Sequence, residues 1–190
     1  EEGRKIRAAF VAKPGYKLLS LDYSQIELRL LAHMAKISTL QDAFRAGHDI
    51  HAATAAEVFG LSLNQVESEH RRRAKAINFG LIYGMSAFGL TRTTDLTLAE
   101  AEDFVKAYFT KFPGVKKYLD GMRRQAAEIG YVETLLGRKR YFPALQGKIN
   151  VQMKNREERE AINAPIQGTA ADIMKLAMLK IPSALKAAGL

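Results

Sequence analysis

The sequence predicts an α+β fold that is mostly helical. Three observations carry this: apolar residues recur at helical spacing through most of the chain, one short apolar run reads as a buried strand, and one pair of short segments reads as a β-hairpin. With 190 residues, 47% of them hydrophobic and 26% charged, the chain can bury the core of one sizeable domain or two small ones, which excludes a disordered segment.

Taken in order, Lys17-Leu18-Leu19-Ser20-Leu21 is an apolar run bounded by Pro14-Gly15 and Asp22, as a buried strand would be. Ser24-Gln25-Ile26-Glu27 then has the form of a capping box, and Leu28, Leu31, Ala32 and Ala35 follow at helical spacing. Asp22 is therefore expected between a strand end and a helix start. Asp49 can cap a second helix through Ala52, Ala53, Ala56 and Val58 to Gly60. Ser68 precedes a long helical pattern from His70 to Tyr83, and another runs from Leu98 until Phe112-Pro113-Gly114 breaks it. Val115 to Ile129 is helical again. Tyr131 to Leu135 and Lys139 to Phe142, joined by Leu136-Gly137-Arg138, predict a hairpin with a basic tip. A last helix is expected from about Glu157 to Leu179, bent near Pro165 and Gly168. There is no internal repeat and no low-complexity linker.

Lys+Arg 29 against Asp+Glu 20 gives a net charge of +9, which suits a polyanionic partner, nucleic acid or an acidic membrane surface. The absence of cysteine excludes a disulfide framework and a thiolate metal site, and fits an intracellular protein. The chain opens on Glu1-Glu2-Gly3 with neither an initiator Met nor a charged-then-apolar leader, so no signal peptide is expected and the sequence reads as starting within a protein. Ala76 to Thr91 carries no charge, but it is shorter than the roughly 20 apolar residues of a span and contains Asn78, Gly80, Gly84, Ser86 and Gly89. No membrane segment is expected.

The most informative stretch is His70 to Gly84. Arg71, Lys75, Phe79 and Tyr83 fall at every fourth position, so on a helix they form one nearly straight stripe of two cations followed by two aromatics. A nucleoside triphosphate laid along such a stripe would meet cations at its phosphates and flat faces at its sugar and base. Gly80 and Gly84 each cost the helix about 1 kcal/mol relative to Ala, which implies a close approach by another backbone or a substrate. On spacing alone, an amphipathic helix with solvated arginines and core aromatics is the favoured explanation, since such stripes are common. Asp22, a carboxylate at a strand end, suits Mg²⁺, and its bland alternative is a turn residue. Glu27 has its own as the partner of Ser24 in the capping box, worth about 1 kcal/mol.

Taken jointly, these segments carry a pattern. Leu21-Asp22-Tyr23-Ser24-Gln25-Ile26-Glu27-Leu28-Arg29 resembles the first motif of family A DNA polymerases, Arg71 to Gly84 resembles the second, and Asn163-Ala164-Pro165-Ile166-Gln167-Gly168-Thr169-Ala170-Ala171-Asp172 resembles the helix that follows. The likeness covers nearly the whole chain in the family's order, with Phe112-Pro113 and Leu136-Gly137-Arg138 included, and is of the bacterial polymerase I type. It implies palm segments at 1–35 and 156–190 flanking a helical fingers subdomain at 36–155. It implies that Asp22 binds the catalytic Mg²⁺ ions, with the Tyr23 carbonyl assisting, and that Glu27 gates the sugar. Arg71 and Lys75 would hold the triphosphate, Lys75 also acting as general acid toward the departing pyrophosphate. Phe79 and Tyr83 would flank the incoming sugar and the templating position, His51 would contact a phosphate, and Arg159, Asn163 and Gln167 would touch the minor groove near the primer terminus. The partners implied are primer–template DNA and deoxynucleoside triphosphates, the parent enzyme monomeric and cytoplasmic in a bacterium, at the nucleoid.

One family element is missing. The second metal-binding carboxylate belongs to a His-Asp motif on a downstream hairpin, and the sequence ends at Leu190 without reaching it. His48-Asp49 has the right letters but precedes a helix, so Asp49 reads as an N-cap and the fragment is expected to be inactive alone. The competing reading is a non-catalytic basic helical module that binds nucleic acid, which leaves Asp22, Tyr23 and Glu27 without a purpose. A single-subunit RNA polymerase shares the cationic helix, but a ribonucleotide enzyme needs a small residue where Glu27 stands. The four histidines do not complete the metal set of an HD-type phosphohydrolase.

Overall fold

A computed structural model describes residues 2–189. Among them are nine α-helices and one two-stranded antiparallel sheet. The helices are α1 (Glu2–Ala8), α2 (Ile26–Met34), α3 (Ser38–Arg45), α4 (Ile50–Phe59), α5 (Ser68–Ile82), α6 (Ala87–Thr91), α7 (Leu98–Lys111), α8 (Pro113–Ile129) and α9 (Val151–Ala187). Strands β1 (Tyr131–Glu133) and β2 (Lys139–Tyr141) pair with Tyr131 opposite Tyr141 and Glu133 opposite Lys139. The mostly helical α+β expectation holds.

Local chemistry sets the helix boundaries. Asp49 caps α4 as expected, its carboxylate accepting from the His51 and Ala52 N–H groups at 2.9 and 3.2 Å. Thr97 and Glu100 form a capping box on α7, each satisfying the other's orphan N–H. Pro113 opens α8 in the first turn, where its missing N–H costs nothing. The main core joins Leu28 and Leu31 of α2, Ile77 and Leu81 of α5, Tyr108 of α7, Val115 of α8 and Ile162 and Ile166 of α9. Full burial of each such aliphatic side chain contributes roughly 1.5 to 3 kcal/mol. A smaller cluster, Ala126, Val132, Phe142 and Ala161, seats the hairpin between α8 and α9. Gly80 lies where α5 meets α6: a Cβ there would stand 2.5 Å from the buried Leu90 side chain, so the close approach its helix cost implied is made by a neighbouring helix.

Three expectations are corrected. Lys17 to Leu21 is not a strand; it is irregular, and Leu18, Leu19 and Leu21 are exposed. A strand exists only against a partner, and the one sheet among the described residues is the hairpin. Asp22 consequently follows an irregular segment instead of a strand end. The Ser24–Glu27 capping box does not form either: α2 starts after Gln25, which sits in the left-handed region at φ 54° without a side-chain cap. Finally, α9 begins before Glu157 and stays one 37-residue helix through both Pro165 and Pro182. The short helices α1, α3 and α6 carry no strong sequence signal and are found only in the structure.

Candidate nucleotide and nucleic-acid site

All three consecutive arginines on α5 are engaged by acids, two of them by Glu69. Arg72 donates to Glu69 and Asp95, and Arg73 donates to Glu69 at 2.8 Å. Arg71 and Lys75 are the two cations of the predicted stripe. Arg71 donates through Nε to Asp49 Oδ2 at 2.5 Å, and Lys75, exposed, makes no ion pair among the described residues. Further along, the Phe79 and Tyr83 rings lie nearly parallel, with centroids 6.3 Å apart and planes at 24°. Both are half-buried, each with one face on the core. Arg71, Lys75, Phe79 and the helix-ending Tyr83 thus follow one another along α5 as the spacing predicts.

Two residues from other elements join this stripe. The Tyr83 hydroxyl donates to the Glu27 carboxylate, which ties the start of α2 to the end of α5. Burial and the adjacent Glu27 charge push the Tyr83 hydroxyl above its usual range, so it stays a donor. His51, on α4, is buried with its ring 5.8 Å from Phe79. The buried Asn78 amide lies 3.2 Å from His51 Nδ1 and 3.0 Å from Thr54 Oγ1. Burial holds His51 below the ordinary histidine range; Asp49 opposes this, while Arg71 and Lys75 push the same way. A neutral imidazole beside two cations can donate to an anion without first being charged. Its helix position alone would suggest a solvent-facing residue, but His51 is buried.

Asp22 and Tyr23 stand apart from the stripe, exposed in the loop before α2. Tyr23 borders an apolar groove along α9 lined by Ile173, Leu176, Ala177 and Ile181. The described residues contain no cluster of three or more Asp, Glu, His or Cys able to hold a metal. The oxygen donors of Asp22 and the Tyr23 carbonyl are of the type Mg²⁺ takes, one or two carboxylates with water and substrate phosphate completing the shell.

The three polar residues of α9 border two grooves. Arg159 lies beside Gly84 and Ser86, at the end of the α5 stripe. Asn163 and Gln167 line the cleft between α9 and the hairpin, with Thr134, Arg138 and Arg140 opposite. Asn163 Oδ1 is buried without a hydrogen-bond partner among the described residues. The hairpin is clamped to α9 by Asp172, which accepts from the Thr134 hydroxyl at 2.7 Å and from Arg138 Nε at 2.8 Å, while Leu135 N–H donates to Thr169 Oγ1. The Thr134 and Arg138 bonds hold the Asp172 carboxyl below the usual carboxylate range against the opposing effect of burial. The roles of Asp172, Asn78 and Asp49 as cross-links are not legible in spacing, because each joins segments distant in sequence.

All 190 residues match the family model described as DNA polymerase family A. The chain is 57% identical over 189 residues to DNA polymerase I of Pseudomonas aeruginosa and 48% identical over 187 residues to that of Geobacillus stearothermophilus, covering 100% and 98% of this chain and 21% of each relative. It therefore spans about one fifth of the length of those relatives. Among solved structures it is similar to the polymerase domain of Pol1 from M. smegmatis in complex with DNA primer-template and dNTP, with a TM-score of 0.87 and 44% identity over 100% of this chain and 34% of that one.

Proposed function

The chain belongs to DNA polymerase family A, and from that membership we propose that it forms the nucleotide-binding part of a DNA-directed DNA polymerase, acting within a longer chain. The observation that carries this reading is the face on which Arg71, Lys75, Phe79 and Tyr83 follow one another and Glu27 joins them through the Tyr83 hydroxyl. The reaction joins the primer 3′ oxygen to the α-phosphorus of a deoxynucleoside triphosphate and breaks the bond to pyrophosphate. Arg71 and Lys75 neutralise the triphosphate, and Lys75 hands a proton to the departing pyrophosphate oxygen. His51 donates to a phosphate, Phe79 and Tyr83 flank the sugar and the templating position, and Glu27 fills the space beside C2′. Asp22 and the Tyr23 carbonyl would hold Mg²⁺, which would supply charge stabilisation at the reacting phosphate. Asn163 and Gln167 receive the primer–template minor groove in the hairpin cleft, with Arg159 at its margin.

In this reading residues 1–35 and 156–190 belong to the palm and 36–155 to the fingers of a monomeric bacterial cytoplasmic enzyme. The net charge of +9 supports a nucleic-acid partner. Asp22→Asn in the full-length polymerase should abolish nucleotide addition and leave primer–template binding nearly intact; extension at the parental rate would refute the metal assignment. Lys75→Ala should lower kcat/KM for the nucleotide at least about tenfold, since a charge-assisted hydrogen bond contributes roughly 1.5 to 3 kcal/mol.

A further inference from the structure

Asp49 does more than cap a helix. Its Oδ1 accepts the His51 and Ala52 N–H groups, and its Oδ2 accepts Arg71 Nε at 2.5 Å. One carboxylate thus fixes the backbone beside His51 on α4 to the guanidinium of Arg71 on α5, and uses three of its roughly four acceptor positions to do so. The geometry of the arginine bond is informative. A carboxylate competing fully for the place of a phosphate would take two guanidinium nitrogens at once as a fork, the pattern by which arginine grips phosphates. Asp49 takes the Nε edge instead, and the terminal nitrogens make no bond among the described residues.

We propose that Asp49 is a positioning residue for nucleotide binding: it holds Arg71 by Nε, at a distance set by the cap of α4, so that both terminal nitrogens remain free for the triphosphate. The proposal rests on the reading that α5 grips the triphosphate. Its physical basis is preorganisation. A free arginine side chain loses much rotamer freedom when it binds, and a tether at Nε removes that loss in advance. The tether also fixes Arg71 relative to the first turn of α4, so the two helices keep one spacing at this point.

Asn is as good an N-cap as Asp, so Asp49→Asn keeps the cap, loses the charge and turns an amide N–H₂ toward Arg71. Steady-state nucleotide kinetics on a primer–template, with the full-length polymerase, test the idea. Asp49→Asn is expected to raise the nucleotide KM about tenfold with kcat changed less than about twofold, and to have no further effect in an Arg71→Ala background. Asp49→Ala, which also loses the cap, should show the same rise in KM together with a lower Tm. A KM that falls in Asp49→Asn would mean that Asp49 competes with the phosphates, and an unchanged KM that it holds nothing; either overturns the proposal. So does a rise that persists undiminished in the Arg71→Ala background. Lys75→Ala measured alongside separates the two levels: if it too leaves KM and kcat unchanged, it is the triphosphate reading of α5 that fails.

Discussion

Glu27 and Tyr83 are 56 residues apart in the chain and share one hydrogen bond. That bond excludes the capping-box account of Glu27, because the side chain that would have closed the box is turned instead to the far end of α5. If Glu27 fills the space beside C2′ as proposed, Glu27→Ala in the full-length polymerase should relieve a clash at the sugar and lower the deoxy-to-ribonucleotide ratio of kcat/KM by about tenfold or more, through loss of a repulsive contact. Tyr83→Phe keeps the ring, frees the carboxylate and should give a smaller change in the same direction. A ratio unmoved in both variants would leave Glu27 as an anchor for Tyr83 alone. At this scale, spacing supplied the stripe from Arg71 to Tyr83, and the family resemblance supplied Glu27 and His51. Neither could supply the pairings, because Asp49 with Arg71, or Asn78 with His51, depends on how α4 and α5 pack.

Elements whose ends are set locally were legible: Asp49 caps α4, and Phe112-Pro113 ends α7, although α8 starts at Pro113 itself and not at Val115. Lys17 to Leu21 was not, because an apolar alternation becomes a strand only when another backbone completes its hydrogen bonds. The long α9 was half legible, its start hidden in a polar first stretch and its course through Pro165 tolerated by packing on both sides of that residue. The hairpin meets α9 at Gly168, where a Cβ would stand 2.6 Å from Thr134 Cγ2 and 3.3 Å from an Arg138 terminal nitrogen. Gly168→Ala should gain about 1 kcal/mol of helix propensity but lose more by lifting the hairpin, overpacking costing roughly 1 to 3 kcal/mol. Hydrogen exchange read by mass spectrometry should show faster exchange at Leu135 and Arg138 in the full-length variant. Unchanged protection there would mean that Thr134 and Arg138 shift aside without loss.

Across the whole chain, the apolar side chains of Val11, Leu19 and Leu21 and, on α9, of Leu179 are more than three-quarters exposed. Surfaces of this kind associate. The isolated 190-residue chain should therefore run as oligomers in size exclusion with light scattering, and Leu19→Lys with Leu179→Lys should shift it toward monomer; a monodisperse monomer at tens of micromolar would contradict this. The burial of α2 has a consequence during translation. Leu28 and Leu31 share their core with Ile162 and Ile166, and at about 5 to 20 residues per second the ribosome needs roughly 7 to 27 s to pass from one pair to the other. Through that interval α4 and α5 can already dock and bring Asp49 to Arg71, while part of the apolar face of α2 waits uncovered. The α4–α5 contact can thus form first and the α9 cover of α2 last, so the nascent chain, more than the finished one, is where a chaperone would find its purchase.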